Sequence, residues 1–184
     1  IKFINSSFEK DTILGITMTG ELCDIFKNRQ NGGKSIMKIC NNLNFQKFYY
    51  TKSQKIFSEN PIISNMISMN WHSIGKLIEK KVKDALVIDF GSTTTDFVCV
   101  KDFKVQNKNF DDFSRLNNLE LLYTGITRTP IIAIEKNLFV KGKEYKIIPE
   151  YFADMSDVYR IKKKIFAEID IDETADNRQK TFEN

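Results

Sequence analysis

Apolar positions recur along this chain with two different spacings, and the changes from one to the other mark its elements. Residues 12–19 read as a buried strand. Residues 20–26 begin a helix with Leu22, Ile25 and Phe26 on one face, Thr19 as its cap, and Glu21 and Asp24 near its positive end. Asn31-Gly32-Gly33 reads as a turn, and residues 34–43 as a helix turning Ile36, Ile39 and Cys40 inward. Residues 47–57 form a hairpin turning near Lys52-Ser53-Gln54. Pro61 opens a longer helix to Val82, with Ile63, Met66, Ile67, Trp71, Ile74, Leu77 and Ile78 at helical spacing.

The period then changes to that of strands. Leu86 to Ile88 suits a buried strand, and Phe97 to Val100 resumes the pattern after a polar turn. A lysine- and asparagine-rich stretch reaches Asn118. Beyond it, 119–123 and 131–134 read as short strands, 138–148 as a hairpin around Lys141-Gly142-Lys143, and 153–167 as a last helix. The tail, 170–184, is polar and reads as a loop. A helix feeding a strand, turn and strand implies α/β layering.

The turn holds the chemistry. In Asp89-Phe90-Gly91-Ser92-Thr93-Thr94-Thr95-Asp96, a strand ends on a carboxylate and the hydroxyl-rich run after Gly91 ends on another. Gly91 lets the chain bend and lets N–H groups approach a ligand. Successive N–H groups form a nest for phosphate oxygens, and Ser92, Thr93 and Thr94 add hydroxyl donors. Asp89 would repel a bare phosphate, so its presence calls for a Mg²⁺ ion between them, with Asp96 as the other carboxylate of the turn. The alternative is a polar hairpin whose threonines satisfy a turn.

Composition narrows the rest. With 184 residues, 41% of them hydrophobic and 28% charged, the chain can bury a core. A net charge of +4 without a basic stripe argues against nucleic acid. No run is apolar enough to span a membrane, and Cys23, Cys40 and Cys99 lack metal-like spacing and read as buried small hydrophobes of a reducing cytosol. His72 is the single histidine, so a histidine metal site or a Ser-His-Asp triad is hard to build. A chain that starts at Ile1 reads as an internal piece of a longer cytoplasmic protein.

The Asp89 to Asp96 hairpin resembles the second phosphate loop of the actin, Hsp70 and sugar-kinase superfamily, whose fold is ribonuclease H-like, and within it the hydantoinase/oxoprolinase group. The wider chain resembles one branch, the tetrahydromethanopterin-linked one-carbon transfer proteins that include the aminomethylfuran synthases of methanofuran biosynthesis. Thr17-Met18-Thr19-Gly20-Glu21-Leu22-Cys23-Asp24, Asn70-Trp71, Tyr123-Thr124-Gly125-Ile126-Thr127-Arg128-Thr129-Pro130, Ala153-Asp154-Met155-Ser156-Asp157-Val158-Tyr159-Arg160 and Thr174-Ala175-Asp176-Asn177-Arg178 carry that likeness. It implies a two-lobed α/β protein, with 1–82 ending one lobe and 83–184 carrying the phosphate hairpin. It also implies a transferase joining a furanmethyl diphosphate to the phenol of γ-glutamyltyramine with release of pyrophosphate.

On that reading Asp89 and Arg128 are catalytic. Gly91, Ser92, Thr93, Thr94 and Thr127 bind diphosphate, and Asp89 and Asp96 hold Mg²⁺. The alternatives are an ATP-dependent amidohydrolase of the hydantoinase type or a non-catalytic nucleotide-binding module. Arg128 as a surface turn arginine, Asp157 as a carboxylate answering a helix dipole, and Asp96 as a residue that only orders the hairpin remain open. The superfamily's other aspartate loop has no match before Asp11, which implies that the isolated piece is inactive.

Overall fold

A computed structural model describes residues 1–23, 25–52, 56–166, 168, 170 and 173–175. It is a mixed α/β structure with several sheets. The chain forms two compact units, the first from Ile1–Val87 and Val98–Asp111, the second from Ile88–Phe97 and the residues from Asp112 on.

The first unit begins with α1 (Lys2–Ser7), β1 (Ile13–Ile16), α2 (Arg29–Asn41) and β2 (Gln46–Tyr50). β1 and β2 are parallel, with Ile13 opposite Gln46 and Ile16 opposite Tyr49, so α2 is the crossover of a β-α-β unit. β3 (Phe57–Ser58) closes the expected hairpin against β2, although Ser53 and Gln54 of its turn lie outside the described residues. The core is Met18, Tyr49 and Met66, flanked by Ile16, Ile36, Met37, Cys40, Ile63 and Ile67. Ile39, expected inward, is instead exposed, as are Cys23 and Cys99.

Three expected elements change form here, for connected reasons. Residues 20–26 make turns rather than a helix, with Cys23 N–H donating to the Gly20 carbonyl and Phe26 N–H to that of Cys23. Asp24 of that segment lies outside the described residues. Gly32 and Gly33 are not a turn but the buried first turns of α2, capped by the Asn28 side chain. A Cβ on Gly32 would lie 2.2 Å from the Glu21 carbonyl oxygen, so glycine serves close packing and offsets its poor helix propensity. The long helix from Pro61 splits into α3 (Ile63–Met66) and α4 (Asn70–Ile78), because Ser68 takes a φ of 52°. The Ser68 hydroxyl donates to Glu21 and accepts from Arg29 at 3.0 Å, which ties the break to the loop after β1.

Further on come β4 (Ala85–Phe90), β5 (Thr95–Lys101) and β6 (Lys104–Val105), which pair in that order. β4 is a strand as expected, but its alternation leaves Leu86, Ile88 and Phe90 exposed rather than buried. In the first unit Val98 is 1% exposed and meets Gly75, where a Cβ would fall 2.5 Å from Val98 Cγ1. His72 sits in an aromatic cluster with Trp71 and Phe110, its Nδ1 2.8 Å from the Tyr50 hydroxyl.

The second unit continues with α5 (Asp112–Asn117), β7 (Leu121–Leu122), α6 (Ile131–Ile134), β8 (Asn137–Val140), β9 (Lys143–Lys146) and α7 (Met155–Ile161). β7 pairs antiparallel with β5, Leu121 opposite Asp96 and Leu122 opposite Thr95. Residues 131–134, expected as a strand, form one helical turn following Pro130. The β8–β9 hairpin is as expected, with Lys141 and Gly142 both at positive φ, the two-residue turn that matches strand twist. α7 starts as expected but stops at Ile161, where Lys163 at a φ of 52° turns the chain away. The tail from Asp176 on lies outside the described residues. No helix among them is long and apolar enough to cross a membrane.

Two measurements check this packing. Gly32→Ala should cost about 1–3 kcal/mol in urea unfolding, whereas Gly15→Ala, whose Cβ meets nothing closer than 3.9 Å, should be neutral or stabilising. Equal effects would refute the close approach of α2 to Glu21. Burial, with the Cys40 and Glu79 charges adding to it, pushes the Tyr49 and Tyr50 phenols up from 10.0 to about 12. A raised folded-state value means their contribution is complete below pH 10 and lost as pH rises through about 12. Absorbance titration of the six tyrosines should therefore show a late fraction that coincides with loss of circular dichroism; a single transition near pH 10 would contradict it.

Candidate functional site

In the second unit the tip of the β4–β5 hairpin is closed by one tight bond, Gly91 N–H to the Thr94 carbonyl at 2.8 Å. The segment that follows β7 seats itself on that tip through main-chain atoms. Ile126 N–H donates to the Gly91 carbonyl at 3.0 Å, and Thr127 and Arg128 N–H both donate to the Ser92 carbonyl, at 3.2 and 2.8 Å. Gly125 makes this possible, since a Cβ there would lie 2.4 Å from the Ser92 oxygen and 2.5 Å from the Thr93 nitrogen.

The same segment is held from its other side. Thr129, 1% exposed, uses its hydroxyl twice, accepting from Gly125 N–H at 2.7 Å and donating to the Gly125 carbonyl at 2.9 Å. The start of α7 then takes the outward carbonyls: Ser156 N–H donates to Thr127 at 2.9 Å and Met155 N–H to Thr129 at 3.0 Å. A capping box fixes that helix start, with Asp154 accepting from Ser156 and Asp157 N–H, and Asp157 accepting from Asp154 N–H. Ser156 and Tyr151 hydroxyls also donate to Asp154, at 2.5 and 3.2 Å. Burial, helped by the Asp154 charge, raises the Tyr151 phenol, while Arg128 works against that. Arg160 pins Asp157 at 2.7 Å and Asp170 at 2.6 Å, which with burial opposing holds its guanidinium firmly charged.

The residues expected to bind phosphate thus come together. Ser92 is exposed, while Thr93, Thr94 and Thr127 are half-buried. Among the described residues, the amides of Ser92, Thr93 and Thr94 donate to no protein acceptor. Thr127 Oγ1 is buried with no partner there either. Arg128 is exposed, its backbone bonded to the tip. The carboxylate of Asp89, half-buried near the end of β4, makes no hydrogen bond or ion pair among the described residues.

Asp96 stands apart from that set. Its Oδ1 accepts from Arg115 Nη1 at 2.7 Å in a buried ion pair. Burial raises its pKa and the Asp89 and Asp112 charges add to this, while Arg115 opposes them. Asp96 is therefore engaged as a strut between elements, whereas the Asp89 carboxylate has no hydrogen-bond or ion-pair partner among the described residues. Groups of three or more histidine, cysteine or acidic side chains placed to hold a metal do not occur among the described residues.

Sequence reading missed Arg115, Thr129 and the Asp154–Ser156 clasp. Arg115 lies in a stretch that reads as a polar connector, and only its burial reveals it. Glu21, expected at the start of a helix, is instead 1% exposed in the first unit, where it accepts from Ser68 and lies 3.8 Å from Arg29.

No family profile matches the chain. It is 30% identical over 176 residues, 93% of its length, to a protein of Methanocaldococcus jannaschii named (4-{4-[2-(gamma-L-glutamylamino)ethyl]phenoxymethyl}furan-2-yl)methanamine synthase. A protein of Methanococcus vannielii with the same name is 37% identical over 83 residues, 45% of this chain and 37% of that one. The chain spans about half the length of the first relative, 53%. The likeness is to proteins named as synthases that make an aminomethylfuran, which agrees with that part of the resemblance drawn from the motifs.

Gly125→Val should unseat the 125–128 segment, because no side chain fits beside the Ser92 carbonyl. Amide hydrogen exchange should accelerate at least tenfold at Ile126 to Arg128, and unchanged protection there would refute the seating.

Proposed function

We propose that the chain is part of a transferase that joins a furanmethyl diphosphate to the phenol of γ-glutamyltyramine and releases pyrophosphate. The relatives' name describes a product with that phenoxymethylfuran ether. The observation that carries the reading is the hairpin tip itself, with three successive amides lacking protein acceptors beside Thr127 Oγ1, Arg128 and Asp89. The proposal extends to the fold, a ribonuclease H-like lobe of hydantoinase type in which the hairpin is a phosphate loop.

In the reaction the phenol oxygen bonds to the furylmethyl carbon. The bond from that carbon to the diphosphate oxygen breaks with its electron pair, and the phenol proton is released. Ionisation at such a carbon is intrinsically easy, so catalysis consists mainly of stabilising charge on the leaving group. Ser92, Thr93 and Thr94 offer amides and hydroxyls to the diphosphate, and Thr127 offers a hydroxyl. Arg128 has a guanidinium suited to paired oxygens. Asp89 would hold Mg²⁺, which when bound withdraws charge from the leaving oxygens.

Main-chain donors set in a fixed frame need no reorganisation as charge develops, which is why the frame of the preceding section matters to rate. An amidohydrolase driven by ATP would use the same tip but release ADP and phosphate.

With the intact protein, Mg²⁺ and both substrates, pyrophosphate should appear in step with ether product. Asp89→Asn and Arg128→Ala should each lower kcat/KM by about 10²–10³-fold with unfolding midpoints preserved. ADP as the product, or full turnover by both variants, would overturn the proposal.

A further inference from the structure

We propose that Arg115 is a positioning residue for the phosphate-binding tip, setting the spacing of the two segments that form it. The inference rests on the phosphate reading for its ligand, but on geometry for its substance. Arg115 is a cation with 2% exposure, on a helix that otherwise shows its face to solvent. Its Nη1 donates to Asp96 Oδ1 at 2.7 Å and its Nη2 to the Glu120 carbonyl at 2.9 Å. Its own carbonyl accepts from Glu120 N–H at 2.9 Å, and the Glu120 carbonyl accepts from Phe97 N–H at 2.9 Å. One guanidinium therefore bolts β5 to the residue just before β7.

That bolt lies at the base of the site. Asp96 and Leu121 are paired in register. From Asp96 the chain runs back four residues to Ser92, and from Leu121 it runs forward four residues to Gly125. The two arms are thus equal in length and meet where the Gly125 backbone abuts the Ser92 carbonyl. A rung stands between them, the Thr95 hydroxyl donating to the Thr124 carbonyl at 2.6 Å. A slip of one residue at the Asp96–Leu121 pair would invert every side chain on one arm and carry Gly125 away from Ser92. A fork with two fixed donors prevents that slip. A lysine would supply the charge but not the paired geometry.

The fork has an electrostatic effect too. Asp89 and Asp112 both act on Asp96, so three carboxylates share this region. Pairing with Arg115 keeps the Asp96 charge from adding to that of Asp89 beside an anionic ligand.

Arg115→Lys and Asp96→Asn in the chain separate positioning from mere stability. We expect amides of Ile126, Thr127 and Arg128 to exchange at least tenfold faster in Arg115→Lys, while the Gln106 amide, bonded to the Cys99 carbonyl in the first unit, is unchanged. Mg²⁺-pyrophosphate affinity should fall about tenfold with it. Asp96→Asn, nearly the same shape, should show a smaller acceleration at the same three amides, and it carries the test should Arg115→Lys fail to fold. Unchanged protection at 126–128, or equal acceleration at Gln106, would overturn the proposal. Wild-type chain that binds no pyrophosphate would overturn the phosphate reading instead, since the amides report the spacing without any ligand.

Discussion

The carbonyl oxygens of Gly91 and Ser92 are the point on which the second unit's site turns. Three amides from the 126–128 segment converge on them, and two of the three share the Ser92 oxygen. Each such bond contributes on the order of 1 kcal/mol net, so the seat is held by a few kcal/mol and not by a large apolar interface. Thr129 and the start of α7 secure the segment on its other side. A loop bonded through main-chain atoms on both sides keeps its conformation without a core of its own. That is what a binding surface for a small anion needs.

Charge is divided with the same economy. Asp96 is enclosed and matched with Arg115, whereas the Asp89 carboxylate has no protein partner among the described residues. Two carboxylates at the ends of one hairpin therefore have separate environments, set by burial and neighbours and not by residue type. A buried charge stripped of its partner is costly, which makes the Asp96–Arg115 pair effectively permanent in the folded state.

The sequence disclosed strands and turns where local chemistry dictated them. The β4 and β5 strands, the Lys141-Gly142 turn and the helix start near Asp154 all follow from local pattern. It misled where tertiary packing overrode that pattern. Gly32 and Gly33 look like a turn but allow α2 to approach the Glu21 backbone. The apolar stripe from Ile63 to Ile78 looks continuous, yet Ser68 breaks it to reach Glu21 and Arg29. Ile131 to Ile134 are β-formers by composition, but Pro130 and the bond from Ile131 N–H to the Ala153 carbonyl start a helical turn. At the site, the polar tip was legible because its residues are neighbours in sequence. Arg115 was not, because its meaning lies in Asp96 and Glu120, which only the fold brings to it.

Because the seat is made from backbone, architecture and selectivity are uncoupled at this surface. The side chains of Ser92 and Ile126 take no part in the bonds that join the two segments, whereas Gly125 is fixed by its lack of a side chain and Thr129 by its hydroxyl. New donors or apolar groups can therefore be installed at 92 and 126 without redrawing the frame. On the proposed reading the hairpin tip is a socket whose lining is exchangeable, and a change of ligand need not begin with a change of fold.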